Sequence, residues 1–90
     1  MIGSIVVPAH NEAALIGRLL DALHVSGNEQ FEIVVACNGC TDDTAALARS
    51  YPGVIVVETQ ETGKVAGLRL GDTAASHFPR FYVDADVRVE

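Results

Sequence analysis

Four short apolar runs rich in β-branched residues recur along the chain, at residues 2–7, 31–36, 54–57 and 81–83, and the segments between them are long enough for helices. None of the runs keeps the strict polar–apolar alternation of a half-exposed strand, so they read as strands buried on both faces of a parallel sheet. In the first intervening segment Leu15, Ile16, Leu19, Leu20 and Leu23 make one helical face. Ala45, Ala46, Leu47, Ala48 and Tyr51 do so in the second. In the third, Val65, Leu68, Asp72 and Ala75 keep helical spacing, with Asp72 breaking the apolar register. The order is βαβαβαβ. It predicts an α/β fold of three layers, a mainly parallel sheet flanked by helices and joined by right-handed crossovers. Ninety residues are too few for two domains.

Turn chemistry sets the expected boundaries. Pro8 stops the first strand, Asn11 is expected to cap the first helix with Glu12 in its first turn, and Gly27-Asn28 ends it. Asn38-Gly39 marks a turn, after which Thr41 or Asp42 can cap the second helix. Pro52-Gly53 and Phe78-Pro79 close the second and third helices. Gly67 and Gly71 are poor helix formers and suggest either close packing or a frayed interior.

Parallel sheets of this kind bind ligands beyond the C-terminal ends of their strands. Here the strand-end segments are 8–12, 37–42 and 83–86, which the topology brings to one rim. Asn11, Asn38 and Thr41 can exchange hydrogen bonds with a ligand there, and Glu12 or Asp42 can accept from ribose hydroxyls or an imino N–H. Lys64 can approach phosphates or a base edge. Asp84 and Asp86 stand one residue apart, so an extended chain would put both carboxylates on one face. Like charges that close favour a divalent cation, and Mg²⁺ or Mn²⁺ could bridge them to phosphate oxygens. Each residue also has a plainer reading: acids at a helix start or strand end, a solvated lysine, and His10 as a polar loop residue.

Composition removes several classes. The net charge is −6 and Lys64 is the sole lysine, so no basic surface is available for a nucleic-acid backbone. No apolar run approaches the length of a membrane span, and the N-terminus lacks the pattern of a signal peptide. Cys37 and Cys40 form a Cys-x-x-Cys, but no second pair completes a zinc site and the histidines lie in unrelated segments. Two reduced cysteines in a loop is the simpler reading, and it points to the cytosol or a cytosol-facing surface. Gly63-Lys64-Val65 lacks the rest of a P-loop, and no Gly-x-Gly-x-x-Gly follows the first strand. A nucleophile elbow for a catalytic triad is also missing.

Taken together, Val6-Val7-Pro8-Ala9-His10-Asn11-Glu12, Glu32-Ile33-Val34-Val35, Asn38-Gly39-Cys40-Thr41-Asp42-Asp43-Thr44, Gly63-Lys64-Val65-Ala66-Gly67-Leu68 and Val83-Asp84-Ala85-Asp86 resemble the N-terminal half of a family 2 glycosyltransferase of the GT-A fold. The match in order and spacing covers nearly the whole chain. It implies binding of a nucleotide-diphospho-sugar, with Pro8, Ala9 and Glu12 lining the nucleoside pocket and Asp42 supporting the second loop. Lys64 would lie beside base or phosphates, Asp84 toward ribose and the metal-bound diphosphate, and Asp86 would be the firmer ligand of Mg²⁺ or Mn²⁺. The family's base-reading aspartate aligns with Cys37 and Asn38, leaving Asn38 as a candidate contact to the base. Its usual asparagine after the lysine segment is Arg69.

In the family the general base and acceptor pocket lie in the C-terminal half. The expectation is therefore a single partial domain, residues 1–90, truncated after the Asp-x-Asp motif, with no catalytic base of its own and inactive alone. Surface left open in this way predicts a homodimer. Competing readings are a nucleotidyltransferase, disfavoured because residues 8–12 lack glycine and lysine, a noncatalytic α/β binding or interaction domain, and a receiver-like phosphoacceptor domain, which would need carboxylates where Pro8 and Ala9 stand.

Overall fold

The computed structural model describes residues 2–25 and 30–85. Its elements are β1 (Gly3–Ala9), α1 (Ala13–Val25), β2 (Phe31–Asn38), α2 (Thr44–Arg49), β3 (Ile55–Thr59), α3 (Lys64–Ala74) and β4 (Arg80–Tyr82). The strands form one parallel sheet in the order β3-β2-β1-β4. All the pairings are parallel because every connection is a helical crossover, as the alternation of strand and helix patterns requires. Helices α1 and α2 cover one face and α3 the other, which gives the three layers expected from the sequence.

Side-chain alternation divides the core. Ile5, Val7, Ala9, Ile33, Val35 and Cys37 turn toward Ile16, Leu19, Leu20 and Leu23 of α1 and Ala45 and Ala48 of α2. Val6 and Val34 turn the other way, toward α3. Here α3 lies unusually close: a Cβ on Gly71 would run into Val6 Cγ1, and one on Gly67 would come within 2.9 Å of Asn38 Oδ1 and 3.1 Å of Pro8 Cβ. The two glycines therefore serve close packing, not fraying.

Pro8 does not stop β1. The strand continues through it to Ala9, with Pro8 opposite Ala36. Ser4 N–H donates to Pro79 and Val83 N–H donates to Val6 O, so the even-numbered residues of β1 direct their backbone groups toward β4. The ladder with β4 ends at Val6 and Tyr82, and the N–H that Pro8 lacks would point beyond it. β2 likewise runs two residues further than expected, to Asn38.

The helix starts differ from the sequence expectation. Asn11 has φ 51 and does not cap α1; its Oδ1 accepts instead from Thr41 N–H at 2.8 Å. Glu12 precedes the helix, and its carbonyl accepts from Ile16 N–H. The free amides at this end are met from the neighbouring crossover: Thr44 Oγ1 accepts from Glu12 N–H at 2.9 Å and Asp42 Oδ2 from Ala13 N–H at 3.2 Å. The same Asp42 accepts from Thr44 N–H at the start of α2. One carboxylate thus braces two helix N-termini. The expected stop of α1 at Gly27-Asn28 lies outside the described residues.

Candidate functional site

The C-terminal ends of β1, β2 and β4 and the start of α3 enclose a cleft of about 280 Å³. That volume sits at the lower end of small-molecule sites, which run roughly 300–1,000 Å³. Pro8, His10 and Glu12 reach it from the β1–α1 turn, Asn38 from the end of β2, Gly63 and Lys64 from the start of α3, and Asp84 and Ala85 from beyond β4. Of the residues singled out in the sequence, Pro8, Glu12, Asn38, Lys64 and Asp84 meet here.

Ala9 does not. Its side chain is 2% exposed and belongs to the core under α1, because the two-residue period of β1 turns it away from Pro8 and His10. Asp42 also stands apart from the cleft lining. The Thr44 hydroxyl holds its carboxyl below the usual carboxylate range, helped by the Thr44 and Ala13 amides. Its geometry is that of a brace for the loops. Asp86 lies outside the described residues.

His10 is the cleft residue that sequence reasoning set aside. Its Nδ1 lies 2.7 Å from the Asn38 carbonyl, which only accepts, so Nδ1 carries the proton. In the neutral ring Nε2 then presents a lone pair. The signal was available in the alternation Pro8, His10, Glu12. The Asn38 side chain is 3% exposed and donates through Nδ2 to Gly63 O at 2.8 Å, tying β2 to the turn that opens α3. That bond leaves the amide little freedom to meet a base.

Charge of both signs closes the cleft. Lys64 Nζ lies 2.5 Å from Asp84 Oδ1, and the two side chains are 61% and 44% exposed. Among the described residues no group of three or more His, Cys, Asp or Glu side chains converges as a ready-made metal cage. Asp84 is a hard oxygen donor of the kind Mg²⁺ and Mn²⁺ prefer. Magnesium in particular is commonly held by one or two carboxylates plus substrate phosphates, so the donor chemistry fits.

The cysteine pair is divided between core and loop. Cys37 is 1% exposed in the core, and burial, with Cys40 beside it, pushes its thiol up to about 12. Cys40 Sγ hydrogen-bonds to Ala9 O at 3.4 Å and accepts from Asn11 N–H at the same distance. Both are free thiols. Among the described residues, no helix is long and apolar enough to cross a membrane.

Comparison with known proteins places this architecture. The family described as glycosyl transferase family 2 matches residues 4–90. The 4,4'-diaponeurosporenoate glycosyltransferase of Staphylococcus aureus strain USA300 is 35% identical over 89 residues, which are 93% of this chain and 24% of that protein. The chain thus spans about a quarter of the length of such relatives. Among solved structures, S. aureus TarS 1-349 in complex with UDP superposes with a TM-score of 0.87 at 25% identity, covering 96% of this chain and 28% of that one. Glucosyl-3-phosphoglycerate synthase from Mycobacterium tuberculosis, in complex with Mn²⁺, UDP and phosphoglyceric acid, gives a TM-score of 0.79 at 28% identity, over 93% of this chain and 32% of the other. With its parallel sheet and its rim cleft of GT-A type, the chain belongs to glycosyl transferase family 2.

Proposed function

We propose that this chain is the donor-binding part of a glycosyltransferase, residues 1–90 forming one partial domain that holds a nucleotide-diphospho-sugar whose sugar passes to an acceptor hydroxyl in the full-length protein. The observation that carries this reading is the meeting of Pro8, Glu12, Asn38, Lys64 and Asp84 in one cleft at the strand ends. The UDP complexes of the S. aureus and M. tuberculosis proteins support it.

Pro8 offers an apolar wall to the nucleoside, and Glu12 can accept from ribose hydroxyls. Lys64 neutralises diphosphate charge. Asp84, with Asp86, would hold Mg²⁺ or Mn²⁺, which offsets the charge developing on the leaving diphosphate. Asn38 anchors the α3 turn through Gly63 and borders the base. No residue of this chain is assigned as the general base, so the chain alone is inactive in transfer. Its two free thiols suit a cytosolic setting, or the cytosolic face of a membrane for the full-length protein. Phe81 and Tyr82, exposed on β4, form the surface through which two copies would associate, read by sedimentation velocity.

Calorimetric titration with UDP and GDP, in Mn²⁺ and in EDTA, tests the reading. Metal-dependent binding that is lost in Asp84→Ala supports it. A folded chain that binds neither nucleotide would make it a noncatalytic α/β module.

A further inference from the structure

Glu32 is a carboxylate at the second position of a buried strand, 7% exposed, at the end of the sheet opposite the cleft. Its Oε1 accepts from the Ser4 hydroxyl at 2.9 Å and from Ser76 N–H at 2.7 Å, and its Oε2 from the Ser76 hydroxyl at 2.8 Å. His77 Nδ1 stands 3.6 Å from Oε2, and His77 N–H donates to Ser4 Oγ at 3.1 Å. A charge so placed is tolerated because every one of these groups directs a donor at it or supports one that does.

What Glu32 grips is the connection between α3 and β4. That connection is already one unit with its neighbours: the Arg80 guanidinium donates to Asp72 O and Ala75 O, both at 2.8 Å, and pairs with the Asp72 carboxylate at 2.5 Å. These bonds are local, within eight residues, and join β4 to α3; at the end of the sheet opposite the cleft, the contacts from their connection to β1 and β2 run through Ser76, His77 and Pro79. β4 itself has three residues, with Phe81 and Tyr82 exposed, and pairs with β1 alone among the described strands. The unit begins at Lys64 and runs on to Asp84, so it carries both partners of the cleft's ion pair.

We infer that Glu32 is a positioning residue for the cleft: its carboxylate docks the α3–β4 unit on the sheet through Ser76 and His77, and so fixes where Lys64 and Asp84 stand. The grip acts from a distance, since Ser4 lies roughly 13 Å below Pro8 along β1. The part that concerns ligand binding rests on the donor-binding reading above. The docking itself does not.

Glu32→Gln in this chain separates the two. Amide hydrogen exchange at Ser4 and Val83, whose N–H groups bond β4 to β1, is expected to accelerate about tenfold relative to Gly39, whose N–H bonds β2 to β3. The gain in UDP affinity that Mn²⁺ confers over EDTA is expected to fall by about tenfold. Unchanged exchange at Ser4 and Val83 in a folded variant overturns the docking. Accelerated exchange with the Mn²⁺-dependent gain intact overturns the positioning. A wild-type chain that binds no UDP overturns the donor-binding reading, while exchange still decides the docking. If Glu32→Gln does not fold, Ser76→Ala, which removes one donor, is read by the same two measurements with smaller shifts of the same sign.

Discussion

Lys64, the first residue of α3, and Asp84, just beyond β4, meet across the cleft with 2.5 Å between Nζ and Oδ1. At 61% and 44% exposure the pair sits in solvent-screened surroundings, where such bridges contribute about 0–1 kcal/mol. Its consequence is for ligands: an ammonium against Asp84 competes with any cation for the same carboxylate.

Lys64→Met is therefore expected to move two affinities in opposite directions. Mn²⁺ alone should bind more tightly, because a competing charge is gone, while UDP should bind about tenfold more weakly for want of a counter-charge at its phosphates. Thermal stability should stay within about 1 kcal/mol of wild type. Electron spin resonance of free Mn²⁺ and calorimetry of UDP read the two arms. Parallel losses in both would mean that Lys64 only supports the local fold.

Glu32 governs the acid limb of stability. Burial alone would raise its pKa, but the Ser76 amide and hydroxyl, the Ser4 hydroxyl and His77 outweigh it and bring the group from 4.5 to about 2. A carboxyl with a depressed folded pKa contributes stability that is present above the unfolded value and lost as pH falls through the folded one. Wild type should thus lose this contribution between pH 4.5 and about 2. Glu32→Gln should be less stable at pH 7 by about 2–3 kcal/mol, with the gap closing across that window. Urea unfolding of both proteins from pH 7 to 2.5 measures it. A gap independent of pH would show that the carboxylate's charge is not what matters.

The sheet, its parallel sense and the three layers were legible because unbroken β-branched runs and helical spacing leave few alternatives. Most of the cleft was legible for a related reason: strand C-termini converge whatever their separation in sequence. What escaped depends on contacts between distant residues. Asn11 looks like a cap until Thr41 is seen to occupy its Oδ1, and the true partners of the α1 amides, Asp42 and Thr44, come from another crossover. Ala9 and His10 were exchanged in role because β1 runs through Pro8, which keeps the two-residue alternation going past the expected stop. Glu32 stood in plain view within an apolar strand, but its partners are distant in sequence, twenty-eight residues away at Ser4 and forty-four at Ser76.

Close approach of α3 predicts a graded response to single methyl groups. In Gly71→Ala the new Cβ meets Val6 Cγ1 in the core, where this fully buried, β-branched side chain has little room to turn aside, and a loss of about 1–3 kcal/mol is expected. Gly67→Ala presses on Asn38 and Pro8 instead, so it should also weaken UDP binding. Chemical denaturation combined with calorimetry distinguishes them: Gly71→Ala should change stability with UDP affinity retained in the folded fraction, and Gly67→Ala should change both. Equal UDP affinity in the two variants would dissociate α3 packing from the cleft.

The cysteines provide a test of core against loop within a single turn. Cys37 is 1% exposed, with its thiol pushed up to about 12 by burial and by Cys40, so at neutral pH it offers almost no thiolate. Cys40 is half-buried in the loop and held by Ala9 O and Asn11 N–H. Iodoacetamide at pH 7.5 is expected to alkylate Cys40 and spare Cys37 in the native chain, and to modify both in denaturant, as read by peptide mass spectrometry. Because Cys40 supports the β1–α1 turn, its modification should also lower UDP affinity, and bound UDP with Mn²⁺ should slow it. Labelling of Cys37 at the rate of Cys40 in the native state would mean that the end of β2 opens readily, and the cleft residue next to it, Asn38, would then lack the rigid support on which its bond to Gly63 depends.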